Sequence, residues 1–167
     1  MAKCPQTLAG IALDCTTSQG GIKAVWMADY NDVTPTMSED KVKVTDTSKF
    51  KKFEFRRGTS TMTSTLTADE TTGVNYVTTE LSLVFTRMDT QKRIEMAALS
   101  VGQMAAIVLD SNGVYWYLGY DDYVSASAGG AETGTAKGDR NAYTITLKTE
   151  SATYPYEVDS TTSGGLE

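Results

Sequence analysis

The alternation of polar and apolar positions is most regular between Gly58 and Val101. Thr61, Thr63, Thr65 and Thr67 fall on one side of a period-two pattern, and Met62, Leu66 and Ala68 on the other. After the turn-forming run Asp69-Glu70-Thr71-Thr72-Gly73 the alternation resumes. Val77, Leu81, Leu83 and Phe85 are then set against Tyr76, Thr78, Glu80, Ser82 and Thr86. This period predicts two strands, each with one wet and one buried face, joined as a hairpin over 59–87. With about 10 residues per arm the hairpin would reach roughly 30 Å, whereas strands average about 5–6 residues. The period then becomes helical. Asp89 is the expected N-cap, Ile94, Ala97, Ala98 and Val101 form the expected buried stripe, and Gly102 stands at the expected stop. That predicts a helix over 89–101.

Shorter signals flank this stretch. Residues 1–19 read as an irregular N-terminal arm, and Gly20-Gly21 opens a strand over 22–30. A loop over 31–48 holds a short strand at Val42-Lys43-Val44. Met104 to Leu109 is an unbroken apolar run, the pattern of a strand buried on both faces. Asn112-Gly113 marks a tight hairpin to Val114–Gly119. Residues 121–138, rich in Gly, Ala and Ser, read as a flexible or threaded loop. Tyr143, Ile145 and Leu147 line one face of a further strand, 154–158 adds a short edge segment, and 159–167 reads as a polar tail. Many strands with one mid-chain helix predict a mainly β fold, a sandwich or barrel over 20–158 in a single domain.

Charge and composition narrow the function. Of the 167 residues, 21 are Asp or Glu and 15 are Lys or Arg, a net charge of −6. That argues against a protein that grips nucleic acid by its phosphates. The charge is unevenly spread. From Asp110 onward nine acids face three bases, while from Lys41 to Arg57 seven bases face two acids. Such asymmetry suits solvated surface, and it also suits head-to-tail contact between copies. Lys49, Lys51, Lys52, Arg56 and Arg57 are therefore candidate subunit-interface residues.

Catalytic signals are sparse. The chain has no histidine, the commonest general base and metal ligand. No strained nucleophile turn and no phosphate-cradling glycine loop is apparent. Cys4 and Cys15 are too few for a disulfide framework and read as small buried or half-buried thiols. Asp110-Ser111-Asn112-Gly113 is better explained as a turn than as a calcium loop, since it lacks the downstream glutamate. Asp121-Asp122 between tyrosines reads as surface, with a calcium or sugar site as the rarer alternative. In Tyr115-Trp116-Tyr117, Trp116 is expected in the core; Tyr115 and Tyr117, on the opposite face, are expected at an interface with a partner or the helix, or as a sugar-stacking platform. No secretory or membrane-spanning segment is seen, so synthesis in the cytoplasm is expected. No enzyme activity and no cofactor is expected.

The order of elements carries a resemblance. A long threonine-rich hairpin, one short helix, the hairpin around Asp110-Ser111-Asn112-Gly113, and the closing strand Tyr143-Thr144-Ile145-Thr146-Leu147 together resemble phage tail tube proteins and related virion ring proteins. The resemblance implies a β-sandwich with a flanking helix, closed into homo-oligomeric rings that are commonly hexamers. It implies long hairpins lining a channel through which DNA passes without specific binding, contacts to neighbouring tail proteins, and a place in the virion tail. Asp69, Glu70, Thr78 and Glu80 would then line the channel. A carbohydrate-binding module, as in a fibre or decoration protein, and a tube subunit of a phage-derived injection system are the alternatives.

Overall fold

A computed structural model describes residues 7–166 of the chain. Eleven strands form two sheets. The strands are β1 (Ile22–Asp29), β2 (Pro35–Ser38), β3 (Lys41–Val44), β4 (Lys51–Phe53), β5 (Thr61–Asp69), β6 (Val74–Thr86), β7 (Met104–Asp110), β8 (Tyr115–Leu118), β9 (Ser125–Glu132), β10 (Ala142–Ser151) and β11 (Tyr156–Val158). Helix α1 (Thr90–Val101) follows β6, and a single turn of helix, α2 (Ser160–Ser163), follows β11. The larger sheet has the order β2-β3-β11-β8-β7-β1-β4, the smaller β5-β6-β10-β9.

The two sheets enclose one core: Val25 and Met27 of β1, Leu81, Leu83 and Phe85 of β6, Ala106 and Val108 of β7, and Ile145 and Leu147 of β10. On the other face of the larger sheet a second cluster joins Trp26, Ile107 and Tyr117 to Val42, Val44 and Phe50. Strand β7 is thus covered on both faces, which is why Met104–Leu109 carries no alternation. The mainly β sandwich with a long hairpin and a flanking helix is as the hydrophobic pattern predicts.

Four local expectations are corrected. Residues 125–132 are a strand rather than loop. Gly and Ala have little β-propensity of their own, but the free edge of β10 supplies backbone partners from Ala142 to Lys148. The span 31–48 contains a hairpin of β2 and β3 in place of a loop with one short strand. The segment 156–158 is interior, parallel to β3 and antiparallel to β8. The polar tail is docked: the fully buried Thr162 hydroxyl accepts from Val44 N at 2.9 Å and donates to Val44 O at 3.2 Å. The expected thiol burial fails for Cys15, which is exposed and free; Cys4 lies outside the described residues.

The helix exists as expected but is rotated. Asp89 caps it, accepting from Lys92 N at 2.8 Å. Its covered side is Met96 and Leu99 with the stems of Lys92 and Glu95, whereas Ile94 is 50% and Val101 86% exposed. Two large side chains bury more apolar area than a stripe containing two alanines, and long polar side chains cover apolar surface with their stems. Gly102 ends the helix with φ −76 rather than in the left-handed region. Its role is space: a Cβ there would meet Ala98 O at 3.0 Å.

Two predictions follow from local geometry. The turn joining β2 to β3 holds Glu39 (φ 51) and Asp40 (φ 63) in the left-handed region, where only glycine and asparagine sit cheaply. Asp40→Gly should stabilise the protein by about 0.5–1 kcal/mol in denaturant unfolding; no gain would mean this turn is unstrained. Thr162→Ala leaves two buried backbone groups of Val44 without their partner and should cost about 1–2 kcal/mol, read from the unfolding midpoint at unchanged slope.

Candidate assembly interface

The smaller sheet sets up the surface of interest. β5 and β6 pair from Thr61↔Ser82 to Asp69↔Val74, whereas β10 follows β6 only as far as Ser151↔Val77. The hairpin tip therefore projects about 10 Å past the end of β10. Its turn is held by the Asp69 carboxylate, which accepts from Thr71 N at 2.8 Å, and by Gly73 at φ 69. Near the tip Leu66 is 47% and Val74 46% exposed, so the distal half has no core of its own. Toward the base the inner face is covered, with Val77, Leu81 and Leu83 at or near zero exposure. A Ser64–Thr79 hydroxyl pair at 2.9 Å lies on this inner face between the Met62–Leu81 and Leu66–Val77 pairs.

Both edges of this sheet are open. β5, Thr-Met-Thr-Ser-Thr-Leu-Thr-Ala-Asp, carries no proline and no charge before its last residue. β9, Ser-Ala-Ser-Ala-Gly-Gly-Ala-Glu, likewise has no proline and only a terminal charge. A bulge at Ser127, where the register skips from Ala128 to Ala126, is its one irregularity. Edge strands are normally blunted by charge, proline, a bulge or a covering element; β5 has none of the first three before its last residue, and β9 has the bulge. Beside β9, Met96 and Ser100 of α1 form one wall of an open groove of about 510 Å³ whose floor is Ala126–Ala131.

The outward face of the sheet is polar. Thr78 and Glu80 lie on it together, opposite Thr65 and Thr63 of β5 and Glu150 and Lys148 of β10. Asp69 and Glu70 sit apart from them at the tip. Lys148 is bonded to Glu150 at 3.0 Å, and that carboxylate holds its ammonium pKa up. The acidity of the face is thus partly offset by a lysine that hydrophobic patterning did not single out. Its signal is the strand register, which pairs it with Glu80.

The basic candidates do not form one patch. Lys51 and Lys52 are on the edge strand β4, where Lys52 pairs with Glu54 at 3.1 Å and lies 5.9 Å from the Trp26 ring. Lys49 precedes them, exposed, in the β3–β4 connection. Arg56 instead reaches the hairpin base, donating from Nε to Thr86 Oγ1 at 3.2 Å. It shares a concavity of about 550 Å³ with Arg87, Lys137 and Arg140. Arg57 opens toward Lys23 and Ser111.

The other candidate chemistry resolves into structure. Asp110 accepts from Asn112 N and Val114 N at 2.9 Å each and from Trp116 Nε1 at 3.0 Å, so it organises the β7–β8 turn and the indole together. Tyr117, expected at an interface or sugar platform, is 2% exposed. Burial raises its phenol pKa. Trp116, expected in the core, is only half-buried. The odd-numbered positions of β8 thus face the second core, a register that the apolar character of Val114, Trp116 and Leu118 alone does not reveal. Asp121 accepts from Ser151 Oγ, and Tyr120 packs edge-on against Tyr156 at 5.4 Å. Among the described residues, no cluster of three or more His, Cys, Asp or Glu could hold a metal ion. Among them, too, no helix is long and apolar enough to cross a membrane.

Comparison with protein-family models, with curated proteins and with solved structures gave no match.

The carboxylates that hold the turn and the helix make a pH prediction. Asp69 is lowered below 3.8 chiefly by the Thr71 N–H, and Asp89 chiefly by its bond to Lys92. A depressed folded pKa means stability present above the unfolded value and lost as pH falls through the folded one. Amide protection at Thr71 and Lys92 should persist through the ordinary aspartate range and decay only below 3.8. Decay centred above that value would mean the two carboxylates are not bonded as described.

Proposed function

We propose that this protein is a structural subunit of a phage tail that closes with copies of itself into rings, whose channel passes DNA without binding it specifically. The observation that carries the reading is the pair of open, uncharged edges on one sheet. Strand directions alternate across β5, β6, β10 and β9. With an even number of strands, β5 of one copy meets β9 of the next antiparallel when the copies are related by rotation about an axis roughly along the strands. Edge pairing between such copies continues the sheet without a break, and closure removes both edges. A heterologous contact of this kind closes into a ring when its rotation divides the circle.

Three further observations support the reading. The outward face, rich in Thr and Ser, suits a water-filled channel, with Thr78 and Glu80 as its lining and Asp69 and Glu70 at its rim. The net charge of −6 repels phosphates and so favours sliding over sticking. Apolar side chains are left bare where lateral neighbours would cover them: Leu66 on the hairpin, Ile94 and Val101 on α1, and Leu8, Ile11 and Leu13 on the arm. The stoichiometry expected from the resemblance is six, with neighbouring tail proteins as further partners. A phage-derived injection tube uses the same geometry. The carbohydrate-module alternative loses the accessible Tyr117 it relied on.

Consecutive strand residues point their N–H groups in opposite directions. Of Thr65→Pro and Leu66→Pro, one therefore removes a donor from the free edge of β5 and the other a donor to β6. The edge variant should sediment as a monomer with an intact near-ultraviolet spectrum, while the other loses hairpin stability. Rings of wild-type size in both variants, or a wild-type protein that stays monomeric at high concentration, would overturn the proposal.

A further inference from the structure

Three separate stretches of chain bring arginine and lysine to one place. The β4–β5 connection carries Arg56, Arg87 follows β6, and the β9–β10 connection carries Lys137 and Arg140. They converge because Ala142 opens β10 opposite Thr86, the last residue of β6. The concavity they line measures about 550 Å³ and sets four cations against one carboxylate, Asp139. That carboxylate is engaged by its own loop, one oxygen accepting from Thr135 N at 2.8 Å and from Ala136 N at 2.7 Å. Arg140 is paired with Glu132. Arg56, Arg87 and Lys137 take part in no ion pair among the described residues. Cations gathered in this way repel one another over the roughly 10 Å that 0.1 M salt leaves unscreened, and a bound anion relieves that repulsion.

Two of these arginines are held in position by their surroundings. Arg56 is anchored through Nε, which donates to Thr86 Oγ1 at 3.2 Å, while its terminal nitrogens make no hydrogen bond among the described residues. At Arg87 the backbone is strained. β6 ends at Thr86 and Asp89 caps α1, so the chain turns within Arg87 and Met88. Main-chain donors fix that turn: Arg87 N donates to Asn141 O at 2.7 Å, and Met88 N to Asn141 Oδ1 at 2.8 Å. No bond from the Arg87 side chain is needed, yet Arg87 holds φ 65, a conformation that glycine adopts without steric cost. Strain of this kind collects where a particular side chain is required, and here it brings a guanidinium to the concavity. Asp89, the other carboxylate whose charge Arg87 influences, is bonded to Lys92 Nζ at 2.6 Å.

We propose that this concavity is a binding site for a compact oligophosphate, an anion of linked phosphate groups, held by Arg56, Arg87 and Lys137 with Arg140 beside them. Guanidinium forks match phosphate oxygens in pairs, and charge-assisted bonds of this kind are the stronger class. Cations arriving from three segments, with one acid among them, call for a ligand of more than one negative charge. The net charge of −6 selects a compact ligand, because an extended nucleic acid would also have to lie along acidic surface. The site is complete within one copy, so it stands or falls apart from ring closure. A ligand that binds the folded state alone stabilises it, and this one ties together the β4–β5, β6–α1 and β9–β10 connections.

The test titrates the protein with tripolyphosphate at constant ionic strength, reading binding by calorimetry and the unfolding midpoint alongside it. Wild type should bind saturably and unfold later as ligand is added. Arg56→Gln/Lys137→Gln should bind at least about tenfold more weakly. Lys43→Gln/Lys51→Gln, which removes the same charge elsewhere, should bind as wild type does. Arg87→Gly should move two readouts in opposite directions: a higher midpoint without ligand, because the strain is gone, and most of the ligand-induced shift lost. A duplex DNA oligomer at equal phosphate concentration should compete at least about tenfold less well than tripolyphosphate. The proposal is overturned if wild type shows no saturable binding, or if the two double variants weaken it equally. Arg87→Gly with its full ligand shift intact, or DNA that competes as well as tripolyphosphate, would overturn it too.

Discussion

A row of backbone N–H and C=O groups along β5 and another along β9 have no strand to pair with in the monomer, and most of the molecule's design follows from that. Every backbone polar group needs a partner, and water serves only where the surface stays wet. The edges of the larger sheet are short, β2 with four residues and β4 with three, and β4 carries lysines. The edges of the smaller sheet are twice that length or more and nearly uncharged. One sheet thus ends in short strands and the other in long, nearly uncharged ones.

The distribution of packing agrees. Buried side chains of β6 and β10 anchor the smaller sheet on the larger one, so the sandwich can exist without a neighbour. The distal hairpin draws less from that core, because Leu66 and Val74 stay half in water and its backbone pairing carries it. The aliphatic residues left most bare include Leu66 on the hairpin, Ile94 and Val101 on α1, and Leu8, Ile11 and Leu13 on the N-terminal arm. Interfaces form where such surface collects.

How much of this was legible in the chain depends on side-chain size. The hairpin faces, the N-cap at Asp89 and the doubly buried β7 were all readable, because large apolar residues recur at a clear period there. The helix face was misread because Ile94, Ala97, Ala98 and Val101 make the neater stripe while Met96 and Leu99 bury more surface. β9 was invisible because a glycine- and alanine-rich strand has no side-chain period and exists only through the edge of β10. The candidate site was divided in the same way. Thr78 and Glu80 were placed on the polar face by alternation, but the basic run from Lys49 to Arg57 is split between two places by the bend that leads into β5. Lys148 emerged only from the cross-strand register.

The most direct test of edge pairing is hydrogen exchange of the wild-type protein, followed residue by residue at low and high concentration. In β5 and β9, the alternate amides that face the free edges should exchange freely in dilute solution and become protected together on assembly, while those facing β6 and β10 are protected throughout. Assembly that leaves the edge-facing amides of both strands unprotected would contradict the account, because the copies would then be held by some other surface.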